Sequence, residues 1–597
     1  MAKPSIWEIF FEKDEISESS RNRADRFFSR EFSGSVTQRL KRILSGRFFR
    51  FTKAASYLIA HISTRVYGTA LLSFGVLGTV MYFLGFGADE SIANPIIGLL
   101  CSLLAIPFLL ADKPLPIFLQ DFKPTDYIFF EFFCMKRHTV LENERRFPIS
   151  VAIIIGCVPA LLSALMPLWE IALIILIVIC VYIGMESPEF IFLSSLFALP
   201  YLRYIPSGDV VLVLAIILAV ISFGIKAFHG RRVLYVEQYD IYLGIMLLFI
   251  LISGIFVKGI ESFSGSLRMI TLALGYLLAS NIITNRRLAE LSANSIIVSG
   301  AISSVVSVIQ FIVSFAGGDS EITMDTLSVI LSRGDGVAVF LMAAIVFSVG
   351  LSFKSVKRNR IFYIVCASLC SLALILSGEM FALTSLLLGI GAYGVIKSNR
   401  LPGLFMPLLL VASVLLLFLP LGVLDFIFEY SPSIVSAEEL FDLWRGSLDA
   451  FSKNLLVGIG IGKESFAAEM EALGIVGYPD SSNLFIELGL EAGIFALMAF
   501  IALIITRVKH RHMQYPYIHN SQTERMSILS GVCLFSLLSF GMVNYLWSDA
   551  SSYYLFWCIF GMGSATLRVA KKDHIDRKVY YEETSAHDSS VIDIEIG

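Results

Sequence analysis

Two glutamates four residues apart, Glu487 and Glu491, stand near the start of an apolar run that opens at Leu484. On a helix this spacing puts both carboxylates on one face. An ionisable group inside an apolar span is costly and usually faces an internal cavity. Either carboxylate could take a proton from a substrate hydroxyl, or pair with an arginine and only hold the helix in register. Asp480 is a third carboxylate able to serve as the base. Upstream, Gly458, Gly460 and Gly462 recur at every second position ahead of Lys463. Glycine lets backbone N–H groups approach a ligand that side chains would block, and such loops often receive anions. An ordinary turn after a helix has the same composition. Arg268, Arg333 and Arg445, with Arg203, lie where basic residues are otherwise sparse. Guanidinium groups grip phosphate oxygens bidentately, although a single arginine can equally snorkel or cap a helix.

These residues must be positioned by helices in a membrane. The chain has 597 residues, is 56% hydrophobic and has a mean hydropathy of +0.76. Sixteen apolar runs lie between residues 66 and 567, most of them long enough to cross a bilayer, which takes about 17–25 residues per helix. The fold class expected is therefore all-α, a polytopic membrane protein of about 16 transmembrane helices with a large external loop at 425–483. The shortest run, 189–204, and the pair split at Gly378–Glu379 mark the least regular spans. No cleavable signal peptide is expected, because residues 1–65 are polar and basic.

Basic residues set the orientation. With the N-terminus inside, 39 of the 46 Lys and Arg fall on the inner side, as expected of a multi-pass protein with both termini cytoplasmic. All eight histidines then fall on the inner side too. The eight cysteines form no C-x-x-C pair, and no outer Asp-x-Asp or histidine cluster is present. Neither a metal nor another cofactor is expected. With a net charge of −3, nothing points to nucleic acid. Residues 1–65 mix thirteen basic residues with phenylalanines, as expected of a cytoplasmic segment held against anionic lipid headgroups. Residues 112–147 read as an amphipathic inner-face element, and 568–597 as a polar, disordered cytoplasmic tail.

The stretch from Trp444 to Ala496 resembles the O-antigen ligase and polymerase superfamily of bacterial membrane glycosyltransferases. Members carry a Trp-containing loop helix, a Gly-x-Gly-x-Gly turn, and a His-Asn pair before a helix with a Gly-x-x-Gly step. Here apolar residues at Leu440, Trp444, Leu448 and Phe451 have helical spacing, and the glycine turn follows. The pair reads Ser482–Asn483, nine residues intervene, and then comes Gly493, with Ala496 in place of the last glycine. The histidine is replaced by Ser482, and Leu440 stands where an arginine precedes the Trp. Two further segments, SGSLRMITLALGYLLASN and TLSVILSRGDGVAVF, resemble the family's outer arginine positions at Arg268 and Arg333.

The resemblance implies a twelve-helix core at 188–567, leaving 66–187 as a four-helix extension. It implies transfer of glycan from a polyprenyl-diphosphate-linked donor to a glycan or lipid acceptor outside the cytoplasmic membrane, without a cofactor. Polymerisation is expected before ligation, and partners would be membrane lipids and polysaccharide-assembly proteins. Arg445, Glu487 and Glu491 are the catalytic candidates. Arg268, Arg333, Gly458, Gly460, Gly462, Lys463, Asp480, Ser482 and Asn483 are the substrate-binding ones. The rival expectations are a transporter or flippase of the same lipid-linked glycan and a catalytically inactive scaffold.

Overall fold

Every backbone N–H and C=O inside a bilayer needs a partner within the protein, which leaves helices as the way for an open chain to cross. The computed structural model describes residues 62–85, 93–111, 113–132, 148–204, 207–228, 232, 234–237, 239–257, 259–316, 336–353, 357–377, 379–397, 437–514 and 522–571. Among the described residues there are helices, turns and no β-strand. Arg333, the first twelve residues of the expected loop (425–436), the run 403–424, the segment 1–61 and the tail past residue 571 lie outside them.

Seven described helices are long and apolar enough to cross a membrane: Thr64–Phe83, Gly208–Ala227, Glu261–Ile282, Arg286–Ile309, Asn359–Leu376, Leu484–Arg511 and Thr523–Phe540. The expected count of about sixteen draws also on shorter apolar helices of 10–17 residues, among them Asp240–Phe256, Val337–Ser352 and Phe381–Ala392.

The described helices fall into two compact units. In the first, α1 (Thr64–Phe83) packs on α2 (Ala93–Leu110) and α3 (Ile149–Leu161), joined by the first part of α4 (Leu168–Glu186). Small residues let the backbones close up, as is usual between membrane helices. Gly75 faces the Gly98 carbonyl and Ser102, and Gly156 faces the Ala70 carbonyl and Ser73.

The second unit holds α5 (Pro188–Ala198), most of α6 (Gly208–Phe228), α7 (Asp240–Phe256), α8 (Ile260–Ile282), α9 (Arg286–Ala316), α10 (Gly336–Ser352), α11 (Lys357–Leu376) and α12 (Met380–Lys397). It continues with α13 (Ala437–Lys453), α14 (Lys463–Ala472), α15 (Leu484–Gln514), α16 (Gln522–Phe540) and a last helix, α17, at 550–571. α7 packs on α8 and α15, α10 on α9, α11 and α16, and α12 on α16. α17 is buried along Tyr553–Phe560, an all-round apolar helix in the middle of its neighbours. It meets α8 at two glycines, Gly275 against Tyr554 and Gly561 against the Tyr276 carbonyl.

α13 buries a stripe that mixes large and small residues. Leu440, Leu443, Ser447 and Ala450 face inward, towards a cluster of Ile459, Phe466, Met470 and Leu490, whereas Leu448 is 50% exposed. The small Ser447 and Ala450 let α13 approach α14 and α15, and Phe441 and Leu448 remain as an apolar outer face.

Candidate functional site

α15 is interrupted one residue beyond Ala492. Gly493 has φ 82 and ψ 173, a backbone state that glycine reaches and other residues avoid. The break frees the carbonyls of Leu490 and Glu491, and the glycine turn supplies their partners. Ile459 N–H donates to Leu490 O at 2.8 Å, and Gly460 N–H to Glu491 O at 3.3 Å. Ile494 N–H in turn donates to Leu455 O at 2.8 Å, so the turn and the broken helix are laced together. Ser253 Oγ on α7 gives the Glu491 carbonyl a second donor at 2.6 Å.

Gly458, Gly460 and Gly462 all have positive φ (79, 99 and 119). A Cβ at Gly458 would stand 2.4 Å from Glu491 O, and one at Gly460 would crowd Val257 and Ser262. The last two amides are engaged as well: Ile461 N–H donates to Ser262 Oγ at 2.9 Å, and Gly462 N–H to Glu491 Oε1 at 3.0 Å. The four consecutive N–H groups from Ile459 to Gly462 are therefore satisfied by the protein itself. Lys463, at the first position of α14, is exposed.

Both glutamates are inside the protein, Glu487 at 1% and Glu491 at 3% exposure. Glu491 Oε2 accepts from Tyr545 O–H at 2.7 Å, so its two oxygens are held by the loop on one side and by the α16–α17 connection on the other. Burial, followed by the Glu491 charge, raises the Tyr545 phenol well above its ordinary value, which keeps it a donor. Trp547, edge-on to Phe500 at 5.0 Å and to Tyr553 at 4.9 Å, anchors the same connection. Glu487 Oε2 accepts from Ser481 N–H at 2.8 Å. It reaches back over the helix start in the manner of a capping box.

Asn483 is the cap of α15. Its Oδ1 accepts from Phe485 N–H at 2.9 Å and Ile486 N–H at 3.2 Å, while Nδ2 donates to Met542 O at 2.7 Å. Ser482 is held at φ 51, and its N–H donates to Asp480 Oδ1 at 3.0 Å. Asp480 is half-buried and lies within electrostatic reach of Glu487, Glu491 and Tyr545.

Arg268 on α8 acts electrostatically on Glu491 and pairs with Asp209 of α6 at 3.2 Å, both side chains about half exposed. Arg445 is exposed on α13 and meets no carboxylate or other acceptor among the described residues. One end of the unit thus gathers Asp480, Ser482, Asn483, Glu487, Glu491, the glycine turn and Arg268. Tyr545, Ser253, Ser262 and Asp209 complete it and were not singled out from sequence. The one signal for Tyr545 was its place in a short aromatic link, NYLWSDASSYY, between two apolar runs.

Comparison with protein-family models and with curated protein sequences finds no match for this chain. The arrangement itself offers a partly accessible carboxylate, two interior carboxylates, and one arginine whose counter-ion is at the surface. A proton acceptor beside a cation able to exchange its partner can deprotonate a hydroxyl and stabilise a departing anion. Among the described residues no group of three or more His, Cys, Asp or Glu is arranged to hold a metal ion.

Proposed function

We propose that the protein is a membrane glycosyltransferase that extends or transfers polyprenyl-diphosphate-linked glycan at the outer face of the cytoplasmic membrane. The observation that carries this reading is the lacing of the glycine turn to the broken start of α15, ending on Glu491. It makes loop, buried carboxylates and Arg268 one assembly at one end of the helices.

In the reaction, Asp480 or Glu487 takes the proton of the acceptor hydroxyl, and the oxygen attacks the anomeric carbon of the donor sugar. The bond from that carbon to the diphosphate oxygen breaks, and the polyprenyl diphosphate leaves with an added negative charge. Arg268 exchanges Asp209 for a phosphate oxygen, with Arg333, Arg445 and Lys463 as further cations for the same charge. Asp480 is half-buried and the more accessible of the two, whereas buried Glu487 would reach the acceptor only by movement of the Ser481–Asn483 turn. Growth of the glycan by repeat units is favoured over ligation, since Ser482 stands where the ligase-type histidine is expected.

The second reading, a transporter of the same lipid-linked glycan, gains from one observation. A discontinuous helix is how many transporters build a site, and α15 is discontinuous at Gly493. The deciding experiment places purified protein in proteoliposomes with lipid-linked oligosaccharide. Longer glycan on the lipid, abolished by Arg268→Ala, is the expected result. Translocation of the donor without new glycosidic bonds establishes the transporter instead, and neither activity removes both.

A further inference from the structure

The far end of α15 carries a second polar assembly, built around a guanidinium. Arg507 is only 7% exposed and lies between two aromatic rings, its Cζ 5.7 Å from the Tyr239 centroid and 5.9 Å from that of Phe560. Gly563 makes the room, since a Cβ there would stand 2.8 Å from Nη2. The Arg507 Nη1 is buried and meets no hydrogen-bond acceptor among the described residues.

Two carboxylates lie nearby, Glu237 shared with Arg568 and Asp240 acting electrostatically on Arg507. Glu237 lies 3.9 Å from Arg568 Nη1 and 4.0 Å from His510 Nε2. Asp240 accepts from Tyr276 O–H and, at 2.8 Å, from Glu237 N–H. Arg568, on α17, stacks its guanidinium 4.0 Å over the Tyr235 ring and donates through Nη2 to Ser280 O. Its Nη1 is likewise buried without a hydrogen-bond acceptor. Both arginines act on Tyr239, so they converge on one residue.

An arginine stays charged at any physiological pH, and a buried charge without a hydrogen-bonded partner is strongly unfavourable. Arg507, whose Nη1 has no hydrogen-bonded partner, and Arg568, whose Nη1 has only the longer ion pair to Glu237 at 3.9 Å, both act on Tyr239 and together are complementary to a tetrahedral oxyanion that can accept from both forks. The site sits where the apolar run of α15 gives way to Arg507, Lys509, His510 and Arg511, the level of lipid headgroups. Access is from the side of Arg568 and His510, whose side chains are 20% and 28% exposed. We propose that Arg507 and Arg568 form a phosphate-binding site at the end of α15 remote from Glu487 and Glu491, filled either by an anionic lipid headgroup or by a soluble phosphate.

The full-length protein, freed of lipid by detergent exchange, is titrated separately with phosphatidylglycerol, digalactosyl diacylglycerol and inorganic phosphate, reading Tm and native mass spectra. A bound adduct and a rise in Tm with phosphatidylglycerol alone identify the headgroup as the source. The same response to inorganic phosphate identifies a soluble one. The galactolipid, which has no phosphate, gives neither. Arg507→Met, which keeps volume and removes the charge, and Arg568→Gln each weaken binding roughly ten- to a hundredfold. A wild-type protein without any response, an equal response to the galactolipid, or undiminished binding by the variants overturns the proposal. Should Arg507→Met fail to fold, Arg568→Gln at the more exposed edge decides alone.

Discussion

Glu487 and Glu491 look alike in the sequence and are held differently in the structure, which makes them separable by the same substitution. Glu487 accepts from Ser481 N–H, and the carbonyl oxygen of a glutamine can do the same. Glu487→Gln is therefore expected to change stability by less than about 1.5 kcal/mol. If Glu487 is the base, turnover falls by roughly 10²–10⁴-fold, the usual contribution of general base catalysis. Full activity in that variant, with loss in Asp480→Asn, transfers the role to Asp480. Glu491 accepts with both oxygens, from Gly462 N–H and Tyr545 O–H. In Glu491→Gln one donor faces an NH2 group, so the fold should weaken by about 1–3 kcal/mol, read by thermal or chemical denaturation. A Glu491→Gln protein as stable as wild type removes the clamp as described. The pairing of the glutamates on one face was legible from their spacing. Their partners were not, because Tyr545 is 54 residues away from Glu491 and only tertiary contact joins them. Asn483 is similar: its type and place before an apolar run are those of an N-cap, but its bond to Met542 O has no local sign.

At the scale of elements, the device that organises the site is a helix broken on purpose and repaired by a loop. Of the four glycines with positive φ that serve it, three show how unequally they do so. At Gly493 a Cβ would stand 2.3 Å from Leu456 O, at Gly458 2.4 Å from Glu491 O, and at Gly462 it would meet nothing. Alanine at the first two positions combines backbone strain with a clash against backbone, expected to cost more than about 2 kcal/mol each. Gly462→Ala carries the strain alone, about 1–2 kcal/mol. Melting temperatures of the three variants should rank in that order, Gly462→Ala highest. If Gly493→Ala melts like wild type, the break is not enforced by this residue. Sequence alone marks the glycine turn, because alternate glycines are conspicuous, but it cannot say what the turn receives. An open nest for an anion and a turn filled by another segment's carbonyls need the same residues. α13 teaches the same point. Leu440, Trp444, Leu448 and Phe451 showed its helical spacing, but of these Leu440 is buried, Phe451 packs on the core and Leu448 is exposed, while the close approach to α14 and α15 selects the small Ser447 and Ala450.

For the whole molecule, the two polar assemblies mark the two ends of α15, and the orientation decides which faces the cell interior. From Ile494, just past the break, to Arg507 are thirteen residues, about 20 Å at the helical rise, much of a hydrocarbon core of about 30 Å. The order of apolar runs gave the helical class and the place of this span. It could not give the packing partners, since residues facing lipid and residues facing other helices are both apolar. The distribution of basic residues supplies the remaining expectation: Glu464 outside with the loop, Lys509 inside with the Arg507 cluster. Both positions are on described helices, Glu464 exposed and Lys509 half-exposed. The described native cysteines are buried or half-buried, so a cysteine-free background is reached by small apolar replacements. In that background, Glu464→Cys should react with an impermeant maleimide in intact cells, whereas Lys509→Cys should react only after the membrane is opened. The reverse pattern would turn the proposed catalytic end towards the cytoplasm and overturn the outer-face reading. Labelling of both in intact cells would mean that α15 does not cross the membrane, and would detach the carboxylates from any role at the membrane's outer surface.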